Sequence, residues 1–211
     1  MSRNNRALPR LPISIALQLL LPLTLTVGMF TAATKPSAAN EPAPKMRLTQ
    51  IEVRLLRDFI DHHYFAIQMS QVCLQKATRQ QLKSICEEVI KAQRQEIQTM
   101  QSWLTNWYGI QYTPTTNKMN ASELSRLGSL NGSRFEIEFM KTLTSHHWGA
   151  VIIGGEVIDR AYHHRFVDLA ADIVSTQTRE INQLRNILQN VYGIQYRGAA
   201  AAGSAAVGNQ N

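Results

Sequence analysis

Two His-His pairs are the residues of this chain best placed to do chemistry. His62-His63 and His146-His147 stand 84 positions apart, and their surroundings repeat with the same offset. His62-His63-Tyr64-Phe65-Ala66-Ile67 recurs as His146-His147-Trp148-Gly149-Ala150-Val151. Gln93-Arg94-Gln95-Glu96-Ile97 recurs as Gln177-Thr178-Arg179-Glu180-Ile181, and Tyr108-Gly109-Ile110-Gln111-Tyr112 as Tyr192-Gly193-Ile194-Gln195-Tyr196. A duplicated unit builds a pseudo-twofold structure, so whatever one pair does, a second stands in the equivalent place. Two readings are open. The imidazoles ligate a metal, or they are core groups whose hydrogen bonds fix the packing.

The elements that position these pairs read as helices. Ile51, Leu55, Phe59, His62, Ala66, Met69 and Cys73 step by four and three along one stripe. Leu82, Cys86, Val89, Gln93, Glu96, Met100, Trp103 and Trp107 form the stripe of a second helix. Phe135, Phe139, Leu143, His146, Ala150, Ile153 and Val157 repeat the first, and Phe166, Leu169, Ile173, Gln177, Glu180, Leu184 and Leu188 the second. Gly109 and Gly193 sit where C-terminal caps are expected. Two apolar-striped hairpins need each other, which predicts an all-α, four-helix bundle of two tandem helical hairpins. Repeat 1 covers about residues 46–112 and repeat 2 about 135–196, joined by a connection at 113–134. Residues 120–127 could form a short helix there, and Ser133 with Glu136 makes a capping box for the third long helix. A connection of this length can cross the bundle, as in ferritin-like topology.

A turn centred near residues 79–80 sets the register of the first hairpin. It places Cys73 opposite Cys86, as a disulfide in an oxidising compartment or as two small buried residues. The same register sets His63 opposite Glu96 and, in the other copy, His147 opposite Glu180. Gln93 and Gln177 lie one turn away. Polar groups on an otherwise apolar stripe are costly unless they satisfy one another. His163-His164 falls at the tip of the second hairpin and reads as an exposed polar turn, with a surface metal site including Asp159 as the sharper alternative.

The chain ends point to export. Arg3, Arg6 and Arg10 precede an uncharged apolar run at 13–30, and Ser37-Ala38-Ala39 fits a cleavage site. Residues 1–39 read as a signal peptide, or as an N-terminal anchor attaching the protein to a membrane through residues 13–33. Residues 198–211 read as a disordered tail, leaving 40–197 as one domain in the periplasm or outside the cell. Four of the 22 Lys and Arg, and none of the 15 Asp and Glu, lie within residues 1–39; 18 basic against 15 acidic residues then remain, a net charge of +3. No basic stripe interleaved with aromatics is left, which argues against a nucleic-acid partner.

The motifs together resemble the exported bacterial proteins of the domain-of-unknown-function 305 family. Its pattern runs Gly-x-x-Phe-Asp, Met-x-x-His-His-x-x-Ala, a Met soon after, and Gln-x-x-Glu-Ile-x-x-Met. Gly132-Ser133-Arg134-Phe135-Glu136, the two His-His-x-x-Ala segments, Met69 and Gln93-Arg94-Gln95-Glu96-Ile97-Gln98-Thr99-Met100 carry the likeness, over roughly residues 50–196. The resemblance implies a ferritin-like bundle binding copper outside the cytoplasm through His and Met, for sequestration or tolerance. Thioether sulfur suits Cu(I), and imidazole serves both copper oxidation states. The implied ligands are His62, His63, His146 and His147 with Met69 and Met100, supported by Glu96, Glu180, Gln93 and Gln177; Met140, seven residues before His147 on the same helical face, is a further candidate from its position alone.

The chain departs from the pattern at its sulfurs. The Met expected three residues before each pair is Phe59 or Leu143, and Met69 and Met100 become Ile153 and Leu184 in the second copy. The first copy is therefore the expected copper site, unless Met140 or Met119 serves the second. Met69 lies two turns from His62, about 10 Å along the axis, so one ion does not easily take both. A di-iron enzyme needs more inward carboxylates than Glu96 and Glu180. A non-enzymatic binder is expected, with a metal-free structural bundle as the alternative.

Overall fold

A computed structural model describes residues 47–198 of the 211-residue chain. The signal or anchor read at 1–39 and nearly all of the tail read at 198–211 lie outside the described residues. Among those residues there are five α-helices and no strand: α1 Arg47–Lys76, α2 Gln80–Tyr108, α3 Lys118–Ser129, α4 Gly132–Arg160 and α5 His164–Tyr192. Four are long, and α3 adds a short fifth within the connection, wider than the 120–127 expected. α1 packs along α2, α4 along α5, and α1 meets α4 at a central seam. The seam is held by Arg54 on Glu156 at one end (2.5 Å) and by Lys76 on Asn131 at the other (3.0 Å). No helix among the described residues is long and apolar enough to cross a membrane.

Glycine ends both partner helices for the same physical reason. Gly109 and Gly193 each adopt φ 66°, a left-handed conformation that costs a residue without Cβ little. The chain then turns so that the Ile110 and Ile194 amides donate back to Leu104 and Leu188, each at 3.0 Å. After Gly109 the connection is strapped to α1. Asp61 accepts from the Tyr112 hydroxyl (2.7 Å) and from the Thr115 amide and hydroxyl (both 2.8 Å). Asn117 then caps α3, accepting from the Asn120 amide at 2.9 Å.

Apolar stripes fold into two core clusters. One gathers Met69, Cys73, Cys86, Phe135, Phe139, Met140 and Leu184; the other gathers Phe59, Met100, Leu104, Trp107, Ala150, Phe166 and Ile173. Each fully buried Phe is worth roughly 1.5–3 kcal/mol. Along all four long helices, a level of His63, Gln93, His147 and Gln177 stands between the two clusters; all four residues are buried. The inward histidine of each pair is the second one. The stripes as read from the sequence run through His62 and His146, but those two are half-buried. Similarly, Ile97 and Leu104 are buried where Glu96 and Trp103 were expected to be.

Cys73 and Cys86 are joined by a disulfide across the α1–α2 turn, with 6.5 Å between their Cα atoms. The bridge closes a loop 13 residues apart in sequence. Reduction is expected to lower unfolding stability by ~3 kcal/mol through restored chain entropy. Denaturant unfolding with and without reductant measures this, and a loss below ~1 kcal/mol would mean the unfolded chain gains little freedom.

Helix starts hold a second correction. The Ser133–Glu136 capping box does not form: Asn131 stands at the N-cap of α4 with no side-chain cap bond. Glu136, 1% exposed, instead caps α2. It accepts from the Thr78 amide (2.7 Å), the Thr78 hydroxyl (2.9 Å) and the Arg79 amide (3.0 Å), and also from the Tyr192 hydroxyl. Glu52, 84 positions earlier and fully buried, does the same for α5. It accepts from the His163 amide (3.0 Å), the Tyr162 amide and the Tyr108 hydroxyl (2.8 Å). A carboxylate suits these ends because unpaired amides and the helix dipole both favour negative charge.

His163 is thereby removed from the exposed-turn reading. It is buried, with Nδ1 2.6 Å from Glu52 Oε1 and its ring stacked on Trp107 at 3.8 Å. His164 and Asp159 are exposed.

Candidate metal centre

The two His pairs meet across the α1–α4 seam and form one cluster. His62 and His146 stack face to face, ring centroids 3.6 Å apart and planes 13° apart. Each is about 6 Å from its own neighbour: 6.1 Å for His62 to His63 and 6.3 Å for His146 to His147. The pair members divide their roles. His63 faces α2 and His147 faces α5, whereas His62 and His146 face each other across the α1–α4 seam.

On the hairpin side, His63 Nε2 lies 2.9 Å from Glu96 Oε2 and His147 Nε2 lies 3.0 Å from Glu180 Oε2. These are close approaches with poor alignment. In neither case does the ring N–H point at the carboxylate well enough to make a hydrogen bond, and both nitrogens of both rings are buried without a hydrogen-bond partner among the described residues. Gln93 Oε1 and both amide atoms of Gln177 share that condition. Buried polar groups are normally paired, so a level of unpaired nitrogens and amides is itself a signal of function.

On the seam side, His146 Nε2 lies 3.0 Å from the His62 carbonyl oxygen. A carbonyl only accepts, so Nε2 carries the proton and Nδ1 keeps the lone pair. Burial, then the neighbouring His63 and His147, push the His62 pKa down to about 3. Burial, then His62 and His147, hold His146 well below the ordinary value. Both rings are neutral at neutral pH, the state in which imidazole ligates metals. They open on a cleft of about 360 Å³ lined by Asp58, Asp61, Asn117, Asn120 and Ile153. A larger cleft of about 560 Å³, lined by Trp148, Arg185 and Tyr196 among others, contains none of the expected ligands.

The methionines are sorted by level along the bundle. Met69 of α1 and Met140 of α4 share one core cluster, while Met100 of α2 lies in the other; all three are fully buried. Met119 is 79% exposed on α3. Among the described residues, no three His, Cys, Asp or Glu side chains form a ready metal cage. What fits a metal is the donor set: neutral imidazoles, buried lone pairs without partners, and carboxylates beside Nε2 of His63 and His147. A carboxylate on one ring nitrogen is the usual orienting contact when the other nitrogen binds a metal.

The sequence reading did not identify Glu52, and it took His163 for part of an exposed turn. The offset of 84 that links Glu52 to Glu136 was a usable signal.

No curated protein matches the chain. Similar solved structures include CopM in its Cu(I)-bound form, 26% identical with a TM-score of 0.59, covering 67% of this chain and 97% of CopM. CopM in its Cu(II)-bound form is 25% identical with a TM-score of 0.60, over 67% and 97% of the two chains. A DUF305 fragment from Deinococcus radiodurans, 22% identical with a TM-score of 0.60 over 69% and 98%, shares the fold. The model of the domain of unknown function DUF305 matches residues 52–188, well over half of the chain, and the chain belongs to that family.

Proposed function

We propose that this protein is an exported copper binder, not an enzyme, holding the metal at the histidine cluster for sequestration or tolerance. The observation that carries the reading is the mid-bundle cluster in which the inner rings, His63 and His147, have buried nitrogens without partners and the outer rings, His62 and His146, are neutral. CopM, which shares the fold, is solved with Cu(I), Cu(II) and silver bound, and supports the choice of metal. His62, His63, His146 and His147 hold copper and Glu96 and Glu180 orient the inner rings; Met69 and Met140 lie in one flanking cluster and Met100 in the other, so sulfur ligation requires further ions or a shared, mobile ligand set. Copper supplies only its affinity for soft and imidazole donors; the chain supplies desolvation and geometry. The bundle is read as two tandem hairpins from a duplication, with α3 carried on the crossing connection. Export rests on the signal-like residues 1–39.

Competition titration of Cu(I) and Cu(II) with a coloured chelator tests this. The wild-type protein should bind, and the variant with all four histidines changed to Ala should lose about 100-fold or more in affinity. Glu96→Gln and Glu180→Gln should each cost about 10-fold. Binding that survives the fourfold change overturns the assignment. The close approaches of His63 to Glu96 and His147 to Glu180 favour one other reading, a metal-free structural bundle. Absence of any transition-metal binding would select it.

A further inference from the structure

The duplication is broken at one position beside the stacked imidazoles. Phe65 in α1 packs edge-on against His146, with ring centroids 5.2 Å apart. Its counterpart 84 positions on is Gly149 in α4, and there the wall is missing. An ideal Cβ on Gly149 would lie 2.8 Å from His62 Nε2, closer than real Cβ contacts come. His62 thus occupies the space that a side chain at 149 would need. Glycine inside a helix is otherwise a liability, because it spends backbone entropy and packs nothing. Gly155, six positions on in the same helix, has open space where its Cβ would be.

We propose that Gly149 is a positioning residue for the copper site: by lacking a side chain it lets His62 lie flat on His146, and so sets the outer imidazole pair. This rests on the histidine cluster being the copper site. The atom that a new Cβ would strike is the end of a flexible side chain, so Gly149→Ala does not break the helix. It turns His62 away from the seam. The His146 side is already walled by Phe65, so the displacement falls on one ring and the two outer ligands separate.

The test compares Gly149→Ala, Gly155→Ala, His62→Ala and the Gly149→Ala/His62→Ala double variant. Both glycine variants should fold and melt at or above the wild-type temperature, since alanine favours the helix. Gly149→Ala should bind Cu(I), in chelator competition, about 10-fold more weakly, whereas Gly155→Ala should match wild type. In the His62→Ala background the Gly149→Ala change should add nothing, because the two act through one contact. In the metal-free protein, proton NMR should show the His62–His146 ring-to-ring contact in wild type and Gly155→Ala and its loss in Gly149→Ala. A retained ring contact in Gly149→Ala overturns the positioning role. So does full-strength copper binding by that variant, or a further loss in the double variant. If wild-type protein binds no copper, the functional reading falls on that result alone, and the ring contact still decides whether Gly149 places His62.

Discussion

Glu136→Ala is expected to lower unfolding stability by about 3 kcal/mol. The carboxylate accepts from two backbone amides at the start of α2, the Thr78 hydroxyl and the Tyr192 hydroxyl, and lies 3.3 Å from Arg79 Nε. Burial alone would raise its pKa, but the hydrogen bonds from Tyr192, Arg79 and Thr78 outweigh burial and hold it below the ordinary value. Removing it strands several donors at once, each costing about 1–3 kcal/mol when unmet. Thr78 and Arg79 are exposed at their side chains, so water recovers part of that loss. Glu136→Gln keeps the shape and one acceptor, and should cost about half as much. Glu52→Ala should behave alike at α5. Urea unfolding of the three variants measures this; a Glu136→Ala loss under ~1 kcal/mol would mean that the carboxylate is not what holds the start of α2.

That carboxylate also marks where sequence reasoning stopped. Contacts inside a hairpin were legible, because the turn at 77–79 ties residue spacing on α1 to spacing on α2. His63 beside Glu96 and Cys73 bonded to Cys86 both follow from that arithmetic. Contacts between hairpins follow no such rule. Glu52 reaches His163 across 111 residues, and Glu136 reaches Thr78 across 58, so a local motif such as Ser133–Glu136 was a misleading guide. The His62–His146 stack was hidden for the same reason. Helical periodicity assigned each first histidine to its own core stripe, whereas the α1–α4 seam turns both of them toward each other. The sorting of Met69 with Met140 likewise depends on how the halves dock. Glu52 and Glu136 were nonetheless one subtraction away, since the offset that aligned the histidines also aligns these acids and their tyrosine partners, Tyr108 and Tyr192.

Stability of the metal-free protein is expected to fall as pH drops from 6.5 to about 4.5. The sign follows from proton counts. Below 6.5 an unfolded histidine takes up a proton, but folded His62 stays neutral down to about 3, and folded His146 is depressed in the same direction. The unfolded chain therefore binds more protons across this window, and stability rises with pH through it. The contribution is complete above the unfolded pKa and is lost as pH falls. Each histidine gives at most about 1.4 kcal/mol per pH unit, so the pair together gives at most about 3. Small rearrangements that let water reach the seam will reduce this, because the rings border the cleft. The depressed carboxylates Glu136, Glu123 and Glu156 act with the same sign, but only below their unfolded value of 4.5. The interval above 4.5 thus isolates the imidazoles. Urea unfolding at pH 7, 6 and 5 should show the slope in wild type and a shallower one in His62→Gln/His146→Gln. An equal slope in that variant would place the acid sensitivity elsewhere.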